Sequence, residues 1–92
     1  MGIIIGMKFA WDDVKFVKVF RKRGLNLGMA QMVFEDPNFR TVPDDREDYG
    51  EIRLRAYGKC FGVPVCVVFT ERDGAIRVIT MFRIRKQAGE ML

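Results

Sequence analysis

Residues 52–80 decide the fold: Ile52-Arg53-Leu54-Arg55-Ala56-Tyr57, then Val63-Pro64-Val65-Cys66-Val67-Val68-Phe69, then Arg72-Asp73-Gly74, then Ile76-Arg77-Val78-Ile79-Thr80. In the first run Ile52, Leu54 and Ala56 alternate with Arg53, Arg55 and Tyr57. That is the period of a half-buried strand with a basic outer face. The second run is almost continuously apolar, as a central strand requires, and Pro64 fits only at its start. Arg72-Asp73-Gly74 is a tight hairpin signal, after which Ile76, Val78 and Thr80 alternate with Arg77, Ile79 and Met81. Gly58, Gly62 and Gly74 fall at expected hairpin positions.

The pattern upstream is helical. Trp11-Asp12 opens a first helix, with Asp12 as N-cap and Val14, Val17 and Phe20 on one face. Arg21, Lys22 and Arg23 suit the negative end of its dipole, and Gly24 is the expected stop. Asn26 can cap a second helix carrying Ala30, Val33 and Phe34, which Asp36-Pro37-Asn38 breaks. Segment 83–92 reads as a short closing helix weakened by Gly89.

The expected class is therefore α+β: a short N-terminal strand, two helices, a three- to four-stranded antiparallel sheet and a short C-terminal helix. Helices would cover one sheet face and leave the other available. Residues 1–7 read as an N-terminal extension, with Met7 an alternative start, and residues 8–92 as a single domain.

Composition narrows the chemistry. The 92 residues are 49% hydrophobic and 30% charged, which excludes a disordered chain. His and Ser are both absent, so a Ser-His-Asp triad, a Cys-His pair and a His-ligated metal site are excluded. No metal or cofactor is expected. The net charge of +4 hides two basic blocks around an acidic middle from Glu35 to Glu51, an arrangement that attracts an anion in one place and repels it in another. Cys60 and Cys66, if on one strand, lie about 20 Å apart on the same face, too far for a disulfide. They read as buried thiols of a cytoplasmic protein. The apolar start Ile3-Ile4-Ile5 is too short for a membrane span or signal peptide.

An ordered series of residues resembles the BrnT family of toxins from type II toxin-antitoxin modules. It runs from Lys8-Phe9-Ala10-Trp11-Asp12 through Lys15, Arg21-Lys22-Arg23-Gly24, Val33-Phe34-Glu35-Asp36-Pro37 and residues 45–53. Gly58, Val67-Val68-Phe69-Thr70-Glu71-Arg72 and Ile76-Arg77-Val78-Ile79-Thr80 complete it. The likeness spans roughly residues 8–86. It implies a fold similar to RelE-type ribonucleases, an RNA-cleaving cytoplasmic toxin, and neutralisation by a BrnA antitoxin with a ribbon-helix-helix domain. DNA would then be met only through the antitoxin. The family usually carries Lys-His-Gly where this chain has Lys22-Arg23-Gly24. It carries asparagines where Phe16 and Val19 stand, and an Arg where Phe82 stands beside Arg83. Phe16 and Val19 would add apolar surface to the first helix and favour a homodimer.

RNA can be cleaved without metal when its 2′-hydroxyl attacks the adjacent phosphate. The enzyme must align the attack, stabilise the added negative charge and move two protons. Arginine suits the charge stabilisation, because its guanidinium binds two phosphate oxygens at once. The expected catalytic set is Arg53, Arg77, Glu71 and Arg83, with Lys22, Arg23, Arg55 and Lys86 holding the RNA. Arg53, Arg55 and Arg77 would share the outer sheet face. The base could be Glu71, Tyr49, Tyr57 or a lysine, although Glu71 could equally pair with Arg72 or Arg77. Asp45-Arg46-Glu47-Asp48 reads as a solvated loop, a screen for the RNA site, or a contact for a basic stretch of antitoxin. Three functions compete: a metal-independent endoribonuclease, a catalytically impaired module that still pairs with a DNA-binding antitoxin, and a small RNA-binding domain with a stacking sheet. The last has Tyr57 but no aromatic pair on the proposed face.

Overall fold

The computed structural model describes residues 8–46 and 48–84. The expected extension over residues 1–7, Glu47, Lys86 and most of the expected C-terminal helix lie outside the described residues.

The chain runs β1 (Lys8–Trp11), α1 (Asp13–Arg23), a 3-10 turn (Leu27–Met29), α2 (Ala30–Glu35), β2 (Arg40–Pro43), β3 (Leu54–Cys60), β4 (Val63–Arg72) and β5 (Ala75–Arg83). The strands form one sheet in the order β1-β5-β4-β3-β2. Strands β2 to β5 are antiparallel neighbours. The sheet is not wholly antiparallel, however, because β1 joins the outer edge of β5 in parallel, with Phe9 opposite Ile76 and Trp11 opposite Val78. The meander leaves that edge unpaired, and β1 fills it while delivering two aromatic rings to the core. Arg83 ends β5 rather than starting a helix.

Local signals explain the boundaries. The Asp12 carboxylate accepts from the Val14 and Lys15 amides at 2.9 and 3.1 Å, so Asp12 caps α1 and Trp11 belongs to β1. Gly24, at φ +68°, closes α1 by donating to the Phe20 carbonyl at 2.8 Å. Both β3–β4 and β4–β5 turn on two consecutive positive-φ residues, Phe61-Gly62 and Asp73-Gly74, as tight hairpins demand. Gly58 is not a turn residue. It lies inside β3, where an added Cβ would sit 2.9 Å from both the Val33 side chain and its carbonyl, so its smallness lets α2 approach the sheet.

The core lies between the helices and one sheet face. Leu27, Ala30 and Val33 meet Ala56, Val65, Val67, Ile76 and Met81, all fully buried. A fully buried Val, Leu, Ile or Met contributes about 1.5–3 kcal/mol each. The Phe34 ring sits among Phe9, Phe39 and Phe69 at 5.4, 5.8 and 5.1 Å between centroids.

Three expectations about side-chain direction are overturned. Val14, Val17 and Phe20 do not face the core; they are 63%, 44% and 54% exposed. Helix α1 instead buries Val19 and packs a half-buried Phe16 against the Trp11 ring, so Val19 adds no exposed apolar surface and Phe16 only part of its ring. Ile52 precedes β3 and is exposed, leaving Leu54 and Ala56 to face the helices. Cys60 and Cys66 sit on neighbouring strands, not one strand, and their paired partners place them on opposite faces. Both are free and buried.

Candidate functional site

The face of the sheet away from the helices carries three rows of side chains, set by the strand register. One holds Arg40, Tyr57, Cys66 and Phe82; the next holds Val42, Arg55, Val68 and Thr80; the third pairs Thr70 with Arg77. This face is not left open as expected. Cys66, Val68 and Thr70 are all buried, because residues 44–46 and 48–53 fold back over this face. The Asp44 amide donates to the Arg53 carbonyl at 2.8 Å, and the Thr70 hydroxyl donates to the Ile52 carbonyl at 2.7 Å.

That segment brings its carboxylates to the arginines. Asp44, fully buried at its side chain, receives Arg46 Nε at 2.6 Å and Nη2 at 2.9 Å, and Arg55 Nε lies 3.8 Å away. The Arg46 hydrogen bond holds the Asp44 carboxyl below its usual range, against the effect of burial. Arg55 Nη1 also donates to the Tyr57 hydroxyl at 2.8 Å. Burial raises the Tyr57 pKa, which makes it a poor base. Arg55 is thereby tied into the fold. Of the stretch Asp45-Arg46-Glu47-Asp48 expected as solvated loop, Arg46 is fixed by its ion pair with Asp44.

Arg53 and Arg77 are different. Both open onto a cleft of about 420 Å³ lined by Asp12, Lys15, Glu51, Arg53, Arg77, Val78 and Ile79. The first turn of α1 forms one wall, residues 51–53 the other, and β5 the floor. Arg53 Nε donates to Glu51 Oε2 at 3.0 Å, and its guanidinium lies 4.0 Å from the Tyr49 ring centre. Arg77 has no ion-pair partner among the described residues. Lys15 is a cleft residue that side-chain patterning alone did not single out. Its position follows from the Asp12 cap and from the parallel β1–β5 pairing, which sequence periodicity does not reveal.

The other expected residues lie elsewhere. Glu71 lines a neighbouring depression of about 450 Å³ with Glu51, Ile52, Leu54, Thr70 and Arg72. It forms none of the expected ion pairs with Arg72 or Arg77; Arg72 pairs with Glu51 at 3.1 Å. Arg83 does not extend the arginine cluster. It is six residues from Arg77 along β5, about 20 Å, and its Nη1 donates to the Arg23 carbonyl at 2.5 Å, satisfying the end of α1. Arg23 reaches back to the Thr80 hydroxyl at 2.9 Å and lies 5.9 Å from the Phe82 ring centre. Arg23 and Arg83 thus fasten α1 to β5, while Lys22 is exposed beside them.

The five-stranded α+β layer thus brings three cations, Lys15, Arg53 and Arg77, to one cleft at the end of its sheet. The comparisons make this specific. Residues 11–87 match the family model described as "Ribonuclease toxin, BrnT, of type II toxin-antitoxin system", and the chain belongs to that family. It is accordingly a ribonuclease-toxin family member, with RNA as target and an antitoxin as partner. No curated protein matches the chain. Among the described residues no helix is long and apolar enough to cross a membrane.

Proposed function

We propose that this chain is a cytoplasmic endoribonuclease toxin that works without metal, as one BrnT-like domain over residues 8–92 related to RelE-type ribonucleases, with a BrnA-like ribbon-helix-helix antitoxin as partner. The observation that carries the reading is the convergence of Arg53, Arg77 and Lys15 on one cleft. Arg77, free of carboxylates among the described residues, meets the scissile phosphate, and its fork can bind two oxygens of the developing phosphorane. Arg53 and Lys15 stand across the floor and add positive charge. The attacking group is the RNA's own 2′-hydroxyl, so the protein's work is alignment and charge stabilisation.

Proton transfer is the weaker half of the site. Asp12 is occupied by the α1 amides. Arg53 holds the Glu51 carboxyl below its usual range, which leaves it a poor base. Slow cleavage driven mainly by electrostatics follows. The same observation favours the second reading, an impaired module that retains its antitoxin.

Expression of the chain alone in bacteria decides between the two. A toxin arrests growth, and Arg77→Ala relieves the arrest while the protein remains folded and soluble. Normal growth with soluble wild-type protein supports the impaired module instead.

A further inference from the structure

Glu51 occupies an unusual place. Its two carboxylate oxygens are divided between two arginines, Oε2 on Arg53 Nε at 3.0 Å and Oε1 on Arg72 Nη2 at 3.1 Å. It also lines both neighbouring depressions: the cleft with Arg53 and Arg77, and the one with Arg72 and Thr70. Glu51 is therefore the partition between them, and the only side chain common to both linings. The pairing is not a structural necessity of the core. The Glu51 side chain is 26% exposed and that of Arg72 is 58% exposed. The Glu51–Arg72 half of the pairing, so exposed on the Arg72 side, stabilises the fold little, while the Arg53 side chain is 25% exposed.

We propose that Glu51 is an internal stand-in for a nucleic-acid phosphate. It holds Arg53 and Arg72 in place when the cleft is empty, and an RNA backbone displaces it. A carboxylate bridging two guanidinium groups has the charge and acceptor geometry of a phosphate bridging the same two groups. When Glu51 swings outward, the two depressions join, and Arg77, Arg53 and Arg72 line one continuous track. RNA binding beyond the phosphate held by Arg77 then competes with Glu51, which sets the affinity of the empty site. This inference rests on the RNA-binding reading above and adds a track and a competitor to it.

The test is the affinity of short, labelled oligouridylate for the full chain, measured by fluorescence anisotropy at fixed low salt. Glu51→Gln and Glu51→Ala remove the competing charge, and both are expected to tighten binding by about fivefold, the size of one exposed ion pair's competition. The decisive arm repeats Glu51→Gln in an Arg53→Ala/Arg72→Ala background. If Glu51 acts by occupying those two guanidinium groups, the tightening disappears there. Tightening of equal size in both backgrounds would mean a diffuse charge effect and would overturn the proposal. Unchanged or weaker binding by the single variants, with wild-type protein binding normally, would overturn it while leaving the RNA-binding reading intact. Absence of binding by wild type and Glu51→Gln alike would remove both. Circular dichroism melts of each variant confirm that the comparison is between folded proteins.

Discussion

Arg53 lines a wall and Arg77 the floor of one cleft, yet of the two only Arg53 meets a carboxylate among the described residues, Glu51 at 3.0 Å. The asymmetry follows from chain path. Asp44 and Glu51, on the strap that covers the sheet, reach the arginines at the start of β3. Arg77 stands on β5 beside the end of β1 and forms no ion pair among the described residues.

The strap itself is testable through Asp44. Its side chain is fully buried and shared by Arg46 and Arg55. Asp44→Ala leaves Arg55 and Arg46 without their carboxylate partner and is expected to cost about 2–3 kcal/mol in urea denaturation. Arg46→Ala is expected to cost less, since that side chain is 52% exposed.

Acid stability follows from the same groups. Asp44 and Glu51 have folded pKa values below their unfolded ones. A depressed carboxyl pKa stabilises the fold above the unfolded value, near 4, and that contribution is lost as pH falls through the folded value. Denaturation midpoints are therefore expected to be level from neutral pH down to about 5 and to fall below about 4. Asp44→Asn should flatten this acid limb.

Cys66 sets an alkaline limit. Burial pushes its thiol up to about 11. A raised pKa contributes stability that is present below the unfolded value and is lost as pH rises through the folded one. Between about pH 9 and 11 the fold should weaken, and Cys66→Ala should weaken less over that range. At neutral pH both buried thiols should resist a thiol reagent until denaturant is added.

Packing at Gly58 gives a sharper mutation. In Gly58→Ala the new methyl would meet the Val33 carbonyl and side chain at 2.9 Å. Backbone does not yield cheaply, so about 1–3 kcal/mol of destabilisation is expected in a thermal melt. By contrast Val17→Ser, on the exposed side of α1, should stay within about 0.5 kcal/mol of wild type.

The strands β3, β4 and β5 were legible because alternation, one apolar run and the Asp73-Gly74 turn are local signals. The caps Asp12 and Gly24 were legible for the same reason. The direction of α1 was not. Val14, Val17 and Phe20 match a core stripe as well as Val19 and Phe16 do, and only tertiary docking chooses between them. The short N-terminal strand was legible, but its parallel pairing with β5 was hidden because that partner is more than sixty residues away. Arg53 and Arg77 were legible as outward-facing residues of a strand pattern. Their separation from Arg23 and Arg83 was not, because alternation gives the face of a residue but not which side chain or carbonyl will claim it. Lys15 and the bridging position of Glu51 depend on a strap and an edge pairing that no period encodes.

The central claim is that Arg77, and not the Arg23–Arg83 end of β5, receives RNA. Oligouridylate affinity of Arg77→Ala and Arg83→Ala against wild type tests it most directly. Loss of a charged hydrogen-bonding partner should weaken binding about tenfold or more for Arg77→Ala and leave Arg83→Ala near wild type. Unchanged affinity for Arg77→Ala, or a larger loss at Arg83 than at Arg77, would contradict the account.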